Sequence, residues 1–258
     1  MATTAKKSIS TNLVLNNFRS IGLEEMNKAA FMKRIDHKFL LNQEQLEMIV
    51  PELSDSYSIL EINNILNHNY ESLYFDTPDL DMYISHHNKR LNRYKIRQRM
   101  YSTTGDTFLE IKYKNNRGYT KKTRIETKKM YELIPYKLFP FVTGNTPYLP
   151  FLLKPIIRNE FSRFTLTNRS RNQRITVDTA ISFYSGNKEL NLQNIAIIEV
   201  KSDKGAIDRN IFNLLKKQGV KPCSMSKYSI GLAMMQTNVK QNLFKQKIHQ
   251  IDKIQHAC

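Results

Sequence analysis

The chain of 258 residues has no tryptophan, only eight glycines and only two cysteines, Cys223 and Cys258. Two cysteines supply neither a disulfide framework nor a thiolate zinc site, and their scarcity favours a reducing compartment. There is no Gly-x-x-x-x-Gly-Lys loop and no Gly-x-Gly-x-x-Gly turn, so any bound phosphate must be held by side chains and not by a glycine-rich loop. Neither a Gly-x-Ser-x-Gly elbow nor a zincin helix occurs. No window approaches the roughly 18 apolar residues of a membrane span, and the N-terminal lysines Lys6 and Lys7 are not followed by the apolar run of a secretory signal. These absences predict a soluble, cytoplasmic protein. Acid is scarce as well: 40 Lys and Arg stand against 23 Asp and Glu, a formal net charge of +17. Such an excess implies a polyanionic partner, whether nucleic acid, anionic membrane, nucleotide or polyphosphate.

The hydrophobic fraction is 40%, with 13 Tyr and 13 Phe, enough for a core, and no linker or solenoid repeat divides the chain. A single α+β domain over 1–258 is predicted. Its most informative stretch is Tyr94–Lys128. Side chains alternate across a strand, which places Lys95, Arg97 and Arg99 on one face and Ile96, Gln98 and Met100 on the other. Glu110, Lys112 and Lys114 share a face in the next segment, and Lys122, Arg124 and Glu126 in the third. Ser102–Asp106 and Asn115–Gly118 read as the connecting turns. One basic strand is an ordinary solvated face, but like charges side by side on three strands oppose each other. An anion among them would relieve that repulsion.

An amphipathic helix is predicted over 12–28. A strand follows over 31–41, with Arg34, Asp36, Lys38 and Leu40 on one face, and Asn42 caps a helix through Leu53, with Gln45 completing the box. Tyr70–Phe75 reads as a strand and Asp76–Asp79 as its turn. Residues 80–89 read as helical or irregular, and the adjacent His86 and His87 as surface histidines. Five prolines between 131 and 155 exclude a sheet interior there. Further strands carry Arg158 and Arg163, then Arg174, Thr176 and Asp178, then Glu199 and Lys201 at the end of an apolar run, where the pair is structural or functional because an unpaired buried charge is costly. A helix over 208–218 ends at Gly219, and the basic tail from Asn238 reads as a fraying helix.

The ordered motifs Arg34-x-x-x-Lys38, Ser72-x-Tyr74-Phe75-Asp76, Lys95-x-Arg97-x-Arg99-x-Tyr101, Phe108-x-Glu110-x-Lys112, Arg158…Arg163, Arg174-x-Thr176-x-Asp178, Glu199-x-Lys201 and Ser226-Lys227-Tyr228 resemble the catalytic domain of the vacuolar transporter chaperone (VTC) polyphosphate polymerases, within the triphosphate tunnel metalloenzyme superfamily. The resemblance covers about residues 30–235, leaving the N-terminal helix and the tail as extensions. It implies an antiparallel β-barrel of about eight strands enclosing a tunnel, with flanking helices. It also implies that Lys38, Arg97, Arg99, Lys112, Arg158, Arg174 and Lys227 hold phosphates and that Glu199 holds Mn²⁺ or Mg²⁺. Arg34, Lys95, Lys114, Lys122, Arg124, Arg163, Lys201 and Ser226 are further wall candidates.

On that resemblance the activity is transfer of the ATP γ-phosphoryl group to a growing polyphosphate chain. Tunnel hydrolases typically open with Glu-x-Glu-x-Lys, whereas this chain has Arg34-x-Asp36-x-Lys38. One acid is replaced by a cation, which favours a phosphate acceptor over water. The alternatives are a tripolyphosphatase or nucleoside triphosphatase on the same fold, and a non-catalytic polyphosphate sensor. Nucleic-acid binding is not expected, since no aromatic platform is interleaved with the basic strands. The known polymerases work beside membrane-spanning proteins, so a membrane-protein partner is a further implication.

Overall fold

The computed structural model describes residues 14–27, 34–203 and 207–256, the Asn27 and Arg34 side chains excepted. The chain opens with β1 (Arg19–Ile21), α1 (Leu23–Asn27), β2 (Arg34–Asn42) and α2 (Gln43–Ile49), then β3 (Tyr57–Leu60), β4 (His68–Asp76) and α3 (Asp81–His87). The three basic strands are β5 (Arg93–Tyr101), β6 (Thr107–Lys114) and β7 (Thr120–Thr127). The proline-rich segment holds α4 (Phe139–Thr143) between two 3₁₀ turns. After it come β8 (Lys154–Asn168), β9 (Gln173–Ser185), β10 (Lys188–Leu192), β11 (Ile195–Asp203), α5 (Asn210–Lys217), β12 (Pro222–Cys223), α6 (Lys227–Met235) and α7 (Lys245–Gln255). The capping box at Asn42 forms as predicted: its side chain accepts from the Gln45 N–H at 2.7 Å while Gln45 Oε1 accepts from the Asn42 N–H at 3.0 Å.

Among the described residues the strands form one sheet ordered β12-β2-β11-β9-β8-β4-β5-β6-β7, with β3 against β8, β1 against β3 and β10 against β9. Pairing is antiparallel throughout except between β1 and β3. No ladder joins β7 to β12, so the eight-stranded closed barrel is replaced by a larger open sheet. The reason lies at its ends. β12 is two residues long and begins at Pro222, which has no N–H to donate. The other end, β7, carries Lys121, Lys122 and Arg124, and charged edges resist further pairing.

Both faces of the sheet bury apolar side chains, which explains why Ile195–Val200 is apolar without alternation. Ala196, Ile198 and Val200 pack with Phe39, Leu41, Ile175 and Val177 under α2 and α5. Ile195 and Ile197 point the other way and join Leu40, Ile181 and Phe183 beneath α6 and α7. Two residues further, on that second face, the side chains become Glu199 and Lys201. A third cluster, Phe75, Ile96, Leu109 and Ile111, is covered by Ile134, Leu138, Val142 and Leu153.

Two extensions differ from expectation. The helix over 12–28, of which 12, 13 and 28 lie outside the described residues, does not form as one piece: Arg19–Ile21 instead adds to β3 as a parallel strand, and Phe18 and Ile21 are buried in different clusters. The tail is likewise fixed. α7 buries Ile251, and Phe244 before it, in the core beneath α6, so its apolar spacing outweighs its basic composition.

Gly231 lies where α6 presses closest to the sheet. A Cβ there would sit 2.5 Å from Cδ1 and Cε1 of Phe183 and 3.1 Å from Cδ1 of Ile157. Gly231→Ala is therefore expected to destabilise the fold by about 1–3 kcal/mol through overpacking, despite alanine's higher helix propensity. Urea denaturation tests this, and an unchanged or raised midpoint contradicts it.

Candidate active site: a cationic cleft

The inward face of the sheet is built by simple alternation. β5 offers Arg93, Lys95, Arg97 and Arg99; β6 offers Glu110, Lys112 and Lys114. In register, Lys95 lies opposite Lys112 and Lys112 opposite Lys122. The like-charge row anticipated from the sequence is therefore real. Across the cleft β2 contributes Asp36 and Lys38, β11 Glu199 and Lys201, β9 Asp178, and β8 Arg163.

Of the four carboxylates on this surface, Glu110, Asp178 and Glu199 each hold two cations. Glu110 accepts from Arg97 Nε and Nη2 on one oxygen at 2.8 and 2.7 Å, and pairs with Lys122 through the other. Asp178 receives Arg163 in bidentate fashion, at 2.5 and 2.8 Å, and also Lys227. Glu199 is gripped by Lys38 on one oxygen and by Lys201 on the other at 2.5 Å. Burial alone would raise these carboxyl groups. The surrounding cations outweigh it: Arg97, Arg99 and Lys122 bring Glu110 down from 4.5 to about 2, and Glu199 and Asp178 are held well below the carboxylate range.

Other cations have no carboxylate of their own. Lys95 donates to Ser226 Oγ at 2.7 Å, and burial, then repulsion from Lys112, Arg93 and Arg97, depresses its ammonium. Lys112 is lowered to about 8 by burial and by Lys38 and Arg97, against the pull of Glu199. Arg99 Nε donates to Ser72 Oγ at 3.2 Å. Contrary to the expectation of no aromatic platform, tertiary packing supplies a stacked pair, Tyr70 on Phe161 with centroids 5.2 Å apart, and Arg99, together with the Asp178 partners Arg163 and Lys227, lies over those rings. Cation–π contact stabilises a cation without cancelling its charge, so these groups remain available to an anion.

Ser226-Lys227-Tyr228 is placed by a buried anchor. Asp76 ends β4 and accepts from the N–H groups of Thr77, Met82 and Tyr83 at 2.8, 2.9 and 2.9 Å, and from the Tyr228 hydroxyl at 2.5 Å. This fastens α3 and α6 to β4. Ser226 caps α6 by accepting from the Ser229 N–H, and Lys227 thereby reaches Asp178.

Of the predicted residues, Lys38, Lys95, Arg97, Arg99, Lys112, Lys122, Arg163, Glu199, Lys201, Ser226 and Lys227 converge on the cleft, and Lys114 stands at its mouth. Arg124, on the exposed edge strand, covers the Phe108 ring at 4.5 Å. Arg174 Nη2 donates to the Met26 carbonyl at 2.6 Å, toward the N-terminal segment. Arg158 is not brought in: five residues from Arg163, it projects from the opposite face of β8, over Tyr184 at 4.6 Å and near Glu71 and Glu160. The Arg34 side chain lies outside the described residues. Glu110 and Asp178 were visible in the motifs, yet their role as shared counter-ions needed the cross-strand partners. His86 and His87 are enclosed: Nδ1 of His86 meets Ser229 Oγ at 2.6 Å, and His87 Nε2 accepts from the Leu243 N–H at 3.1 Å.

Among the described residues no group of three or more His, Cys, Asp or Glu could hold a metal by protein ligands alone. Mg²⁺ and Mn²⁺ are nonetheless commonly held by one or two carboxylates together with substrate phosphates. Glu199 fits that arrangement, its two lysines being freed to turn toward phosphate.

The fold is similar to the PH1819 protein of Pyrococcus horikoshii OT3 (15% identity, covering 78% of this chain and 96% of that one, TM-score 0.44). It is similar to a putative adenylyl cyclase of Hippeastrum, HpAC1, described as having a dominant triphosphatase activity (14% identity, 80% and 98% coverage, TM-score 0.47). A further similarity is to the Pct1 RNA triphosphatase of S. pombe (10% identity, 100% and 95% coverage, TM-score 0.30). No curated protein matches the sequence. The VTC domain profile, in contrast, matches residues 33–142 and 150–236, most of the chain and all the strands that line the cleft, and the chain belongs to the VTC domain family.

Proposed function

We propose that the protein is a polyphosphate polymerase that transfers the γ-phosphoryl group of ATP to the terminal phosphate of a growing chain. In that step the Pβ–O–Pγ bridge of ATP breaks, a terminal phosphate oxygen of the chain bonds to Pγ, and ADP leaves. The observation that carries this reading is the state of the three interior carboxylates. Each is clasped by two cations and held strongly ionised, with Glu110 at about 2. An effective general base has a pKa near the working pH, so these acids are poor at activating water. A phosphate nucleophile is already anionic and needs no base.

The residues present supply the rest of phosphoryl transfer, which is positioning and charge neutralisation. Arg99 offers its planar fork to phosphate oxygens, Arg97 and Arg163 the N–H groups that Glu110 and Asp178 leave over, and Lys38, Lys112 and Lys227 act as point charges. Glu199 would hold a divalent ion that spreads the charge of the transferring group. Asp36 also lines the cleft, and hydrolysis of tripolyphosphate or a nucleoside triphosphate is the second reading. Incubation with ATP and Mn²⁺ separates them. A ladder of long chains on a polyphosphate-stained gel, with ADP, supports the polymerase; free phosphate without chains supports the hydrolase.

Binding is expected to depend on pH. Lys112 and Lys227 lose their protons as pH rises through about 8, and a bound anion favours the charged form. Affinity for a non-hydrolysable ATP analogue is therefore expected to fall at least about tenfold from pH 7.5 to about 9, with net proton uptake on binding. Calorimetry in buffers of different ionisation enthalpy reads that uptake. Zero uptake at pH 8 contradicts the assignment.

A further inference from the structure

The cationic cleft takes one face of β5 and β6, and the opposite face leads to a surface of different composition. There Ile96, Leu109 and Ile111 are roofed by the proline-rich segment, in which the 3₁₀ turns Tyr136–Leu138 and Pro150–Leu152 both pack on α4. The roof buries Ile134, Leu138, Val142 and Leu153 and turns other apolar side chains outward. Tyr136 is 82% exposed, Phe151 59%, Leu133 58%, Leu149 51% and Leu152 43%. Single exposed apolar residues are ordinary on a protein surface, but several on one short roof mark a contact site. Pro135 precedes Tyr136 and Pro150 precedes Phe151. Their fixed φ presents both rings on stiff backbone, so little ordering remains to be done on contact.

The charge around these side chains says what they meet. From Lys128 to Lys154 the sequence has Lys128, Lys129, Lys137 and Lys154 against one acid, Glu132. All four lysines are exposed, and no described ion pair engages them. Lys129 and Lys137 lie over the same ring, Tyr131, at 5.9 and 5.5 Å, which gathers two ammonium groups beside the apolar residues. A second copy of the chain would set these lysines against their equivalents, between bodies that each carry +17, and like charge opposes that contact. An anionic bilayer complements both features. Its interface holds leucine, tyrosine and phenylalanine at headgroup level, and its phosphates attract lysine. It also needs no matching recess for side chains that stand this far clear of the surface.

We propose that this roof is a docking surface for an anionic lipid bilayer, with Tyr136 and Phe151 entering the headgroup region and Lys129 and Lys137 meeting lipid phosphates. The family match omits residues 143–149, which link α4 to the second turn, so part of this roof lies outside the matched positions. The sheet separates roof from cleft, and docking leaves the cleft open. The inference is independent of which phosphate acceptor the cleft uses.

The test is co-sedimentation at physiological salt with vesicles of phosphatidylcholine alone and of phosphatidylcholine and phosphatidylglycerol in equal parts. Wild type is expected to bind the anionic vesicles at least about tenfold more tightly than the neutral ones, and less tightly as salt is raised. Tyr136→Ser/Phe151→Ser keeps every charge and is expected to lose at least about tenfold in that affinity, as is Lys129→Ala/Lys137→Ala. Lys216→Ala/Lys217→Ala, on the exposed face of α5, removes the same charge elsewhere and is expected to change it less than about twofold. Because the chain has no tryptophan, Phe151→Trp supplies a single reporter in an otherwise intact roof, and its emission should move to shorter wavelength as anionic vesicles are added. Wild type that ignores anionic vesicles, or a Phe151→Trp emission that they leave unmoved, would overturn the proposal. Binding by Tyr136→Ser/Phe151→Ser equal to wild type, or a control loss equal to that of Lys129→Ala/Lys137→Ala, would reduce the effect to net charge and overturn it too. A concentration-dependent dimer that the serine variant lacks, without vesicle binding, would assign the roof to a second copy instead.

Discussion

Replacing Glu199 with glutamine is expected to cut ATP turnover by at least about a hundredfold, the scale of losing one preorganised electrostatic group in an active site, while leaving tripolyphosphate affinity intact or improved. The two halves of this result have one cause. In the proposed reading Glu199 shares a divalent ion with the substrate; in the structure it ties down Lys38 and Lys201. The amide forfeits the first role and releases both ammonium groups to the anion. Steady-state ADP release across a Mn²⁺ series and calorimetry with tripolyphosphate separate the effects. Wild-type turnover at ordinary Mn²⁺ would remove Glu199 from the reaction, and a collapse in affinity would show that it organises the cleft instead.

Asp178→Asn is expected to cost about 3–5 kcal/mol of stability, since removing one partner of a buried ion cluster strands the others. Arg163 and Lys227 would share an interior with no carboxylate between them, and Asp178 is only 4% exposed. The sign of the pH effect follows. The folded carboxyl is held below its ordinary value of 3.8, so its contribution is present above that range and is lost as pH falls. Wild type should thus lose stability in acid more steeply than Asp178→Asn. Tripolyphosphate should raise the melting temperature of the variant more than that of wild type, because the ligand takes over as counter-ion. Urea titrations with and without ligand test this, and equal stability of the two proteins would mean the cluster relaxes freely.

Much of the cleft was legible because alternation is a local property. Lys95, Arg97 and Arg99 had to share a face once the segment was a strand, and the capping box at Asn42 needs only a four-residue reading. Arg158 and the tail mark where local reading ended. Arg158 sits in a motif with Arg163, yet five residues of strand put the two on opposite faces. The tail looked like a solvated helix because its apolar residues are few; Phe244 and Ile251 acquire meaning only against residues such as Leu40 and Ile197, which lie far from them in sequence. The histidines were misjudged for the same reason, their enclosure coming from α6 and the tail.

By itself the sequence determined the charge excess, the strand faces that concentrate it, and the lack of any glycine loop or thiol site that could replace them. It therefore determined that any phosphate bound here must be met by arginine and lysine on strands. Only the tertiary structure decided how those charges are balanced. Cross-strand register pairs Glu110 with Arg97 and Lys122, and Asp178 with Arg163 and Lys227, and it leaves Lys95 facing Lys112. Charge interaction falls with distance in space, and the distances that matter here are between strands far apart along the chain.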